Sequence, residues 1–323
     1  MSFLKSVLFL IILFVTSSLW AGEVLIIESN HSTDRWDSGY LKALNKVHGR
    51  RHNISYFEMN AKRLPASLYA KQAEAAWDAY QRIKPDYVIL GDDVAIDHLG
   101  KRFAKENIPV IFLGADKNPR HKFKNNKYPS NVTGVLERPL IRNSAAELKK
   151  ILPHMKRMLV LLDHSDASKY AIDQGFYRVQ NISGVSVEIM LIATLERWQR
   201  VVNSAKSAGY DAVIIGHHSN IIAKNNVKIP ANAIMTWTSQ ALEVPLFAFW
   251  DRDVGIGKAA GGLVVDGYEQ GRIAARLLIQ IASGQTPLGA ICRHGKLAFS
   301  ETELRRWKIS LPEHMHSRVK LYD

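Results

Sequence analysis

Short apolar runs alternate with longer amphipathic stretches along most of the chain, and this alternation constrains the fold more than any other feature. In the first part, the β-branched runs predicted as strands are 23–28, 54–59, 87–90 and 110–113. The stretches between them with apolar residues at helical spacing are 34–48, 66–83 and 94–106. Strands separated by helices of this length form right-handed βαβ units, so we expect a parallel sheet.

A second series of the same kind follows a helical connection at 143–152. Its predicted strands are 158–162, 185–192, 212–215 and 245–249, and its predicted helices are 168–179, 195–208 and 232–242. Two such series predict an α/β protein with two doubly wound parallel-sheet lobes around a ligand cleft. The expected N-terminal lobe is 22–140 plus 252–288, and the expected C-terminal lobe is 141–251 plus 289–323.

The stretch 247–287 is predicted to carry the chain between the lobes. It is interpreted as a strand, a glycine-rich turn, a short Gly-Gly strand, and a helix that begins at Asp266-Gly267 and ends at Gly284. The apolar face of that helix is formed by Ile273, Ala274, Leu277, Leu278 and Ile281. No nucleophile, base or phosphate-binding loop is evident in this stretch. A strand at 296–299 and a helix at 301–307, opened by a capping box at Ser300–Glu303, are expected in the tail.

The N-terminus has the layout of a secretory signal peptide, residues 1–21, with Lys5 before an apolar run and cleavage expected after Ala21. The alternative is an uncleaved membrane anchor. Cys292 is the only cysteine among 323 residues, so no internal disulfide can form, and a bacterial periplasm fits better than a disulfide-rich secreted protein. The net charge of +13 is scattered, and export makes nucleic acid a poor partner.

Ligands of parallel α/β sheets bind outside the carboxyl ends of the strands, which fixes the loops that can form a cleft. The expected loops are 29–36, 91–93, 114–116, 163–165, 216–219, 236–238 and 250–253. These loops are rich in hydroxyl, carboxylate, imidazole and indole groups, which suit a small molecule with an apolar part and a polar head. The candidate ligand-binding residues are Ser29, Asn30, His31, Trp36, Asp92, Asp93, Asp116, His164, Ser165, His217, His218, Trp237, Trp250 and Asp251.

Several of these residues have a purely structural alternative. The carboxylates Asp92, Asp93 and Asp163 could cap the helices that follow them. Trp36 and the Trp250-Asp251 pair could belong to the core instead of the cleft. His217-His218 could hold a metal, but adjacent side chains after a strand point in different directions, so no metal is expected.

Signatures of common enzyme classes are missing from the sequence. There is no G-x-S-x-G elbow, P-loop, H-E-x-x-H or G-x-G-x-x-G motif. We therefore expect a binding protein without a cofactor. An exported enzyme that uses Asp163, His164 or His217 is the minor alternative.

Two segments carry a resemblance to a known family. The run PLFAFWDRDVGIGKAAGGLVVDGYEQGRIAARLLIQIASGQTP resembles the corresponding segment of type I periplasmic solute-binding proteins, in the ABC-transporter substrate-binding-like family that includes aromatic amino-acid binders. Val265-Asp266 and Gln270-Gly271-Arg272 match its Asp-x-x-x-x-Gly-Arg helix. The opening VLIIESNHSTDRWDSGYLKAL is similar to a subgroup often paired with sensor kinases or diguanylate cyclases, with Asn30 in place of the usual tyrosine.

The resemblance implies a two-lobed periplasmic protein that closes by a hinge around a small molecule, with an amino acid as the candidate. It implies delivery of that molecule to the permease of an ABC importer. The alternative is a sensory binding subunit that regulates a membrane histidine kinase or diguanylate cyclase. In either role we expect a monomer.

Overall fold

The computed structural model of the protein describes residues 22–172 and 179–323, in which strands and helices alternate as predicted. The strands are β1 (Glu23–Glu28), β2 (Asn53–Glu58), β3 (Tyr87–Gly91), β4 (Val110–Ala115), β5 (Val132–Leu136), β6 (Arg157–Asp163), β7 (Val179–Ile182), β8 (Val185–Ile192), β9 (Ala212–Ile215), β10 (Leu246–Ala248), β11 (Gly261–Val264), β12 (Ala290–Ile291), β13 (Lys296–Ser300) and β14 (Val319–Tyr322). The α-helices are α1 (Arg35–His48), α2 (Tyr69–Ile83), α3 (Asp92–Phe103), α4 (Ile141–Ile151), α5 (Asp166–Ile172), α6 (Leu195–Ser204), α7 (Ala231–Ala241), α8 (Gly267–Ala282) and α9 (Glu301–Arg306).

Two main sheets define the two lobes. The first sheet has the order β12-β5-β4-β3-β1-β2, and all its strands are parallel. The second has the order β10-β9-β6-β8-β7, in which only β7 runs antiparallel, as the second arm of a hairpin with β8. A small third sheet, β11-β13-β14, lies beside the second, since β10 and β11 are in contact. The predicted fold class is confirmed.

Side chains of successive residues in the central strands pack into hydrophobic cores on opposite faces of each sheet. In β1, Val24 and Ile26 belong to one core cluster, whereas Leu25 and Ile27 belong to another. In β6, Val160 likewise packs on the side opposite to Leu161. Side chains alternate across a strand, so a strand that is apolar at every position needs cover on both faces. This requirement explains why helices flank both main sheets.

Helix α8 lies unusually close to α1, and two glycines make this possible. A Cβ built on Gly267 would lie 2.0 Å from the carbonyl oxygen of Trp36, and one built on Gly271 would lie 2.4 Å from that of Tyr40. Any side chain at these positions would push the two helices apart. The helix begins where Asp266 accepts a hydrogen bond from the Glu269 N–H at 2.8 Å. The predicted crossover helix therefore packs on the first lobe through close backbone contact between α8 and α1.

Strand pairing places two short segments differently from the expected lobe boundaries. Gly261–Val264 pairs with β13 and so joins the third sheet beside the second lobe. Ala290–Ile291 pairs with β5 of the first lobe. By strand pairing, the chain passes from one sheet system to the other at three crossovers: the first at 137–140, the second at 265–266 and the third at 292–295. The predicted signal peptide and part of the helix expected at 168–179 lie outside the described residues.

Some elements of the structure are absent from the sequence prediction. These are β7, β12 and β14, which lie at sheet edges, and β5, which lies between β12 and β4. The capping box at the start of α9 is half formed: Ser300 accepts from the Glu303 N–H at 3.1 Å, but the Glu303 carboxylate accepts from Gly257 N–H at 2.8 Å. In the parts of the chain described, no helix is long and apolar enough to cross a membrane.

The α1–α8 contact gives a direct stability prediction. Gly271→Ala should lower the free energy of unfolding by about 2 kcal/mol, because overpacking against backbone forces the helices apart. Gly100→Ala is the matched control, since its Cβ would lie 3.8 Å from the nearest atom inside α3. That change should be neutral or stabilising by about 0.5–1 kcal/mol through helix propensity. Urea unfolding of both variants measures the difference, and equal effects would contradict the packing argument.

Candidate functional site

A cavity of about 540 Å³ lies between the lobes, at the carboxyl ends of the parallel strands. The first lobe lines it with residues that follow β3 and β4: Asp93, Asp116 and Lys117. The second lobe lines it with the last residue of β6 and with residues that follow β6, β9 and β10: Asp163, His164, Ser165, Asp166, Ala167, His217, Ser219, Asn220 and Arg252. The position agrees with the rule that ligands of parallel sheets bind beyond the strand ends.

Asp116 and His217 face each other across this cavity. The Nε2 atom of His217 lies 3.2 Å from Oδ1 of Asp116, without the alignment of a hydrogen bond. Both of these atoms, and Nδ1 of His217, are buried and have no hydrogen-bond partner. Burial raises the pKa of Asp116, but the facing His217, with Arg252 and Arg138, outweighs it and holds this pKa below its usual value. Unpaired buried polar atoms on both lobes are groups that a bound molecule can satisfy.

A ring contact at the edge of the cleft also joins the lobes. The His121 ring, on the segment after β4, stacks on the Tyr170 ring of α5 at a centroid distance of 4.9 Å. The conformation described is therefore one in which the lobes touch on both the inner and the outer side of the cavity.

Trp250 supports the cavity from behind. It is 1% exposed, and its ring lies against that of His217 with centroids 4.5 Å apart. Its indole N–H donates to the carboxylate of Glu137, a buried residue of the first crossover. Burial and the neighbouring Asp116 raise the pKa of Glu137 well above its usual value. The tryptophan thus fixes the His217 ring and connects it to the hinge.

Asp163 organises the second-lobe loops instead of offering a free carboxylate. Its Oδ1 accepts from the hydroxyls of Ser165 at 2.5 Å and Ser168 at 2.8 Å. Its Oδ2 accepts from the Asn220 N–H at 2.9 Å. Burial raises the pKa of Asp163, but these hydrogen bonds bring it below its usual value. The backbone N–H of Ser168 in α5 donates to the Ser165 hydroxyl at 3.3 Å, so Asp163 holds the loops together and does not itself cap the helix.

The first-lobe wall has an excess of carboxylates. Burial, together with Asp116 and Asp92, raises the pKa of Asp93 well above its usual value. Lys117, on the same wall, forms an ion pair with Asp97, with its Nζ atom 3.3 Å from Oδ2 of that carboxylate. On the second lobe, the Arg252 guanidinium lies over the Trp250 ring, 5.2 Å from its centroid. The cavity therefore has an acidic wall opposite a cationic group.

Five of the predicted site residues line the cavity: Asp93, Asp116, His164, Ser165 and His217. Three others form a hydrogen-bonded layer beneath its floor. Ser29 donates to the Gly91 carbonyl at 2.6 Å and accepts from the Ala95 N–H, while Asn30 donates to Asp92 at 2.9 Å. Asp92 also has a left-handed backbone, with φ of 67°, which turns the chain from β3 into α3.

The remaining predicted residues make contacts away from the cavity. His31 pairs with Glu58 at 3.1 Å, and Trp36 lies in the core of the first lobe. His218 points away from His217 and contacts the Gly216 carbonyl at 2.7 Å. Trp237 lies within α7 and packs on the second-lobe core. Asp251, 5% exposed, lies 3.8 Å from Lys296. With Trp250 behind His217, these residues shape the lobes and not the cavity surface.

The sequence prediction missed cavity residues that lie one or two positions beyond the expected loops. These are Lys117, Asp166, Ala167 and Asn220. Ser219 and Arg252 lie inside the expected loops but were not singled out. The residues beyond the loops could have been found by extending each loop by one or two residues, because the backbone there still faces the cleft.

A buried acid cluster beneath the cavity floor was also missed. Glu28 and Asp37 are each 0% exposed, and both accept from the single Tyr40 hydroxyl, at 3.3 and 3.2 Å. The other oxygen of each carboxylate has no partner. Burial, with Asp37 and Glu58 nearby, raises the pKa of Glu28 to about 8. Burial, with Asp92 nearby, raises that of Asp37 to about 7, so both carboxyls hold protons in mildly acidic solution.

No group of three or more His, Cys, Asp or Glu side chains is placed to hold a metal ion within residues 22–172 and 179–323.

The fold and cavity define a class of protein: a two-lobed binding protein of the type I periplasmic fold. The chain belongs to the ABC transporter substrate binding protein family, whose model matches residues 24–315. This family is a substrate-binding one and not an enzymatic one, and its members are typically extracytoplasmic and serve ABC transporters. No curated protein matches the sequence significantly.

Solved structures support the fold. An ABC domain from Streptococcus pneumoniae in complex with L-Trp is 18% identical, with a TM-score of 0.57, over 93% of this chain and 99% of that one. A substrate binding protein with adhesive properties from Clostridium difficile, in a ligand-free, open structure, is 15% identical with a TM-score of 0.63, over 94% and 99%. A conserved domain protein from Vibrio cholerae is 18% identical with a TM-score of 0.56, over 94% and 100%.

The acid cluster predicts how stability depends on pH. Folding raises the pKa values of Asp37 and Glu28, so between about pH 4 and 8 the folded state keeps protons that the unfolded state has lost. Stability should therefore fall as the pH rises through this window, by at most about 1.4 kcal/mol per pH unit for each group. Asp37→Asn, which mimics the protonated form, should flatten the decline below pH 7.

Urea unfolding midpoints measured from pH 4 to 9 test this prediction. Asp78→Asn is the control, because Asp78 is exposed on α2. If the Asp37→Asn and Asp78→Asn profiles run parallel, the cluster does not carry the pH dependence.

Proposed function

We propose that this protein binds a small zwitterionic solute, of the amino-acid class, between its lobes and presents it to the permease of an ABC importer. The observation that carries the proposal is the pair formed by Asp116 and His217, one from each lobe, whose facing Oδ1 and Nε2 atoms are buried without a hydrogen bond. A solute that contacts both residues binds the closed form better than the open one and shifts the population towards closure.

The charges of the cavity support a ligand with two opposite charges. The carboxylates of Asp93 and Asp116 lie on the same wall, and a ligand ammonium group beside them would relieve their repulsion. Arg252 offers a planar cation for a ligand carboxylate. The structural neighbour from Streptococcus pneumoniae holds L-Trp, a molecule with both groups.

We further propose that the protein acts as a monomer in the periplasm, exported by its N-terminal signal. A sensory role, in which a membrane kinase or cyclase reads the closed form, would use the same binding event. Deletion of the gene separates the two roles: loss of solute uptake supports the importer, and normal uptake with a changed signalling output supports the sensor.

The charge requirement can be tested with matched ligands. Thermal shift assays with the common amino acids should identify a stabilising one. Its amine analogue, without the carboxylate, and its deaminated acid should each bind at least about tenfold more weakly, a difference of about 1.4 kcal/mol. Asp93→Asn should weaken binding of the amino acid but not of the deaminated acid. Arg252→Gln should weaken binding of the amino acid but not of the amine. Equal affinities for all three ligands would overturn the zwitterion proposal.

The position of the site can be tested separately by calorimetric titration. His217→Ala should weaken binding of the identified solute by about tenfold or more, because it removes the polar group that the second lobe offers to the solute opposite Asp116. His154→Ala, an exposed change at the end of α4, is the control and should bind normally. Unchanged affinity in His217→Ala would place the ligand elsewhere.

A further inference from the structure

The lining of the cleft restricts which amino acid the cavity can hold. Within the described chain, Ala167 is the only apolar residue of this lining, and no phenylalanine, tyrosine or tryptophan contributes to it. The tryptophans expected near the cleft lie elsewhere. Trp36 and Trp237 pack on the cores of the two lobes, and Trp250 is 1% exposed behind His217.

An aromatic or aliphatic side chain fits this lining poorly. Such a side chain would exclude water from carboxylates, imidazoles and hydroxyl groups without giving them hydrogen bonds in return. Sites for apolar ligands are lined mainly by hydrophobic and aromatic side chains. The lining therefore selects a solute with polar groups at both of its ends.

The charged residues of the lining differ between the rim and the inner part of the cavity. Lys117, Asp166 and Arg252 are exposed, so water screens their charges. Lys117 and Asp166 also form ion pairs with Asp97 and Lys169, which do not line the cavity, at 3.3 Å in each case. A group of the solute that lies deep in the cavity therefore meets mainly the charges of the inner residues.

The inner residues with charge are three carboxylates and one imidazole. Asp163 is 0% exposed, Asp93 is half-buried, and the side chains of Asp116 and His217 are 26% and 10% exposed. His217 is the single member of this group that can carry a positive charge. Arg138 lies behind Asp116, where it donates to backbone carbonyls, and it does not line the cavity. The inner surface therefore favours a cation of the solute.

Asp116 is the inner carboxylate best placed to meet that cation. Its Oδ1 atom faces Nε2 of His217, and neither atom has a hydrogen-bond partner. Asp163, in contrast, already accepts hydrogen bonds from hydroxyl and amide groups of its own lobe. The α-ammonium group of the solute is assigned above to Asp93, which leaves Asp116 for a second positive group.

We propose that the solute is a basic amino acid, of the class of lysine, ornithine and arginine, whose side-chain cation pairs with Asp116. This inference rests on the proposed binding of an amino acid in the cleft. The side chain of such a solute ends in several N–H donors, which can satisfy the carboxylate and an acceptor nitrogen of His217 together. Its α-carboxylate then faces Arg252 at the rim.

Calorimetric titration of the protein with matched pairs of amino acids tests the charge requirement. L-Arginine and L-citrulline differ by a guanidinium group against a neutral urea group of similar shape. L-Lysine and L-norleucine differ by the terminal ammonium group. At least one basic amino acid should bind at least about tenfold more tightly than its neutral counterpart, and L-tryptophan and L-glutamate should bind at least about tenfold more weakly than that basic amino acid.

Variants of Asp116 test where the side-chain cation lies. Asp116→Asn should bring the affinities for the preferred basic amino acid and its neutral counterpart close to each other, whereas Asp116→Glu, which keeps the carboxylate, should retain the preference. Asp78→Asn removes the same charge from an exposed position on α2 and should keep the wild-type ratio. Urea unfolding of each variant checks that it is folded.

The outcomes separate this proposal from the proposed function. If a neutral or acidic amino acid binds most tightly, binding of an amino acid stands and the basic class is wrong. If Asp116→Asn keeps the wild-type ratio, the placement of the cation at Asp116 is wrong. If none of these amino acids binds, both the proposed function and the basic class are overturned.

Discussion

The close backbone contact between α1 and α8 is the constraint on which the two-lobed arrangement depends. Gly267 and Gly271 let α8 approach the carbonyls of Trp36 and Tyr40 more closely than any other residue would. The long crossover helix is thereby a rigid part of the first lobe, although β11, the strand before it in sequence, belongs with the second. Motion between the lobes is then confined to three short crossover segments.

A cavity between lobes that are joined in this way is completed only when they close. Asp93 and Asp116 come from the first lobe, and His217 and Arg252 come from the second. Each wall alone exposes its charges to water, where they interact weakly. In the closed form they face each other in a setting of lower dielectric, where an unmatched charge is costly and a matched ligand is favourable. The same electrostatic interactions therefore determine which solute the cavity selects and favour closure of the lobes around it.

The sequence was sufficient to predict the fold class because local patterns decide it. Apolar runs such as 158–162 and the spacing of Ile273, Ala274 and Leu277 report strands and helices directly. Short edge strands such as β12 were missed because two residues carry no periodic signal. The site was predicted in part: strand ends identify Asp93, Asp116 and His217. Side-chain direction is not a local property, so Trp250 behind His217 and the carboxyls of Glu28 and Asp37 could not be inferred.

The two walls of the cleft are coupled through two adjacent residues of the first crossover, Glu137 and Arg138. Glu137 accepts from Trp250, which supports the His217 ring, and Arg138 holds the carbonyls of Ala115 and Asp116. Both residues lie on the first crossover, so a rotation of this segment moves a support of each cleft wall. A change at the hinge therefore alters the distance between Asp116 and His217 without any direct contact with the solute. The packing supplies a physical route by which the hinge angle and solute affinity depend on each other.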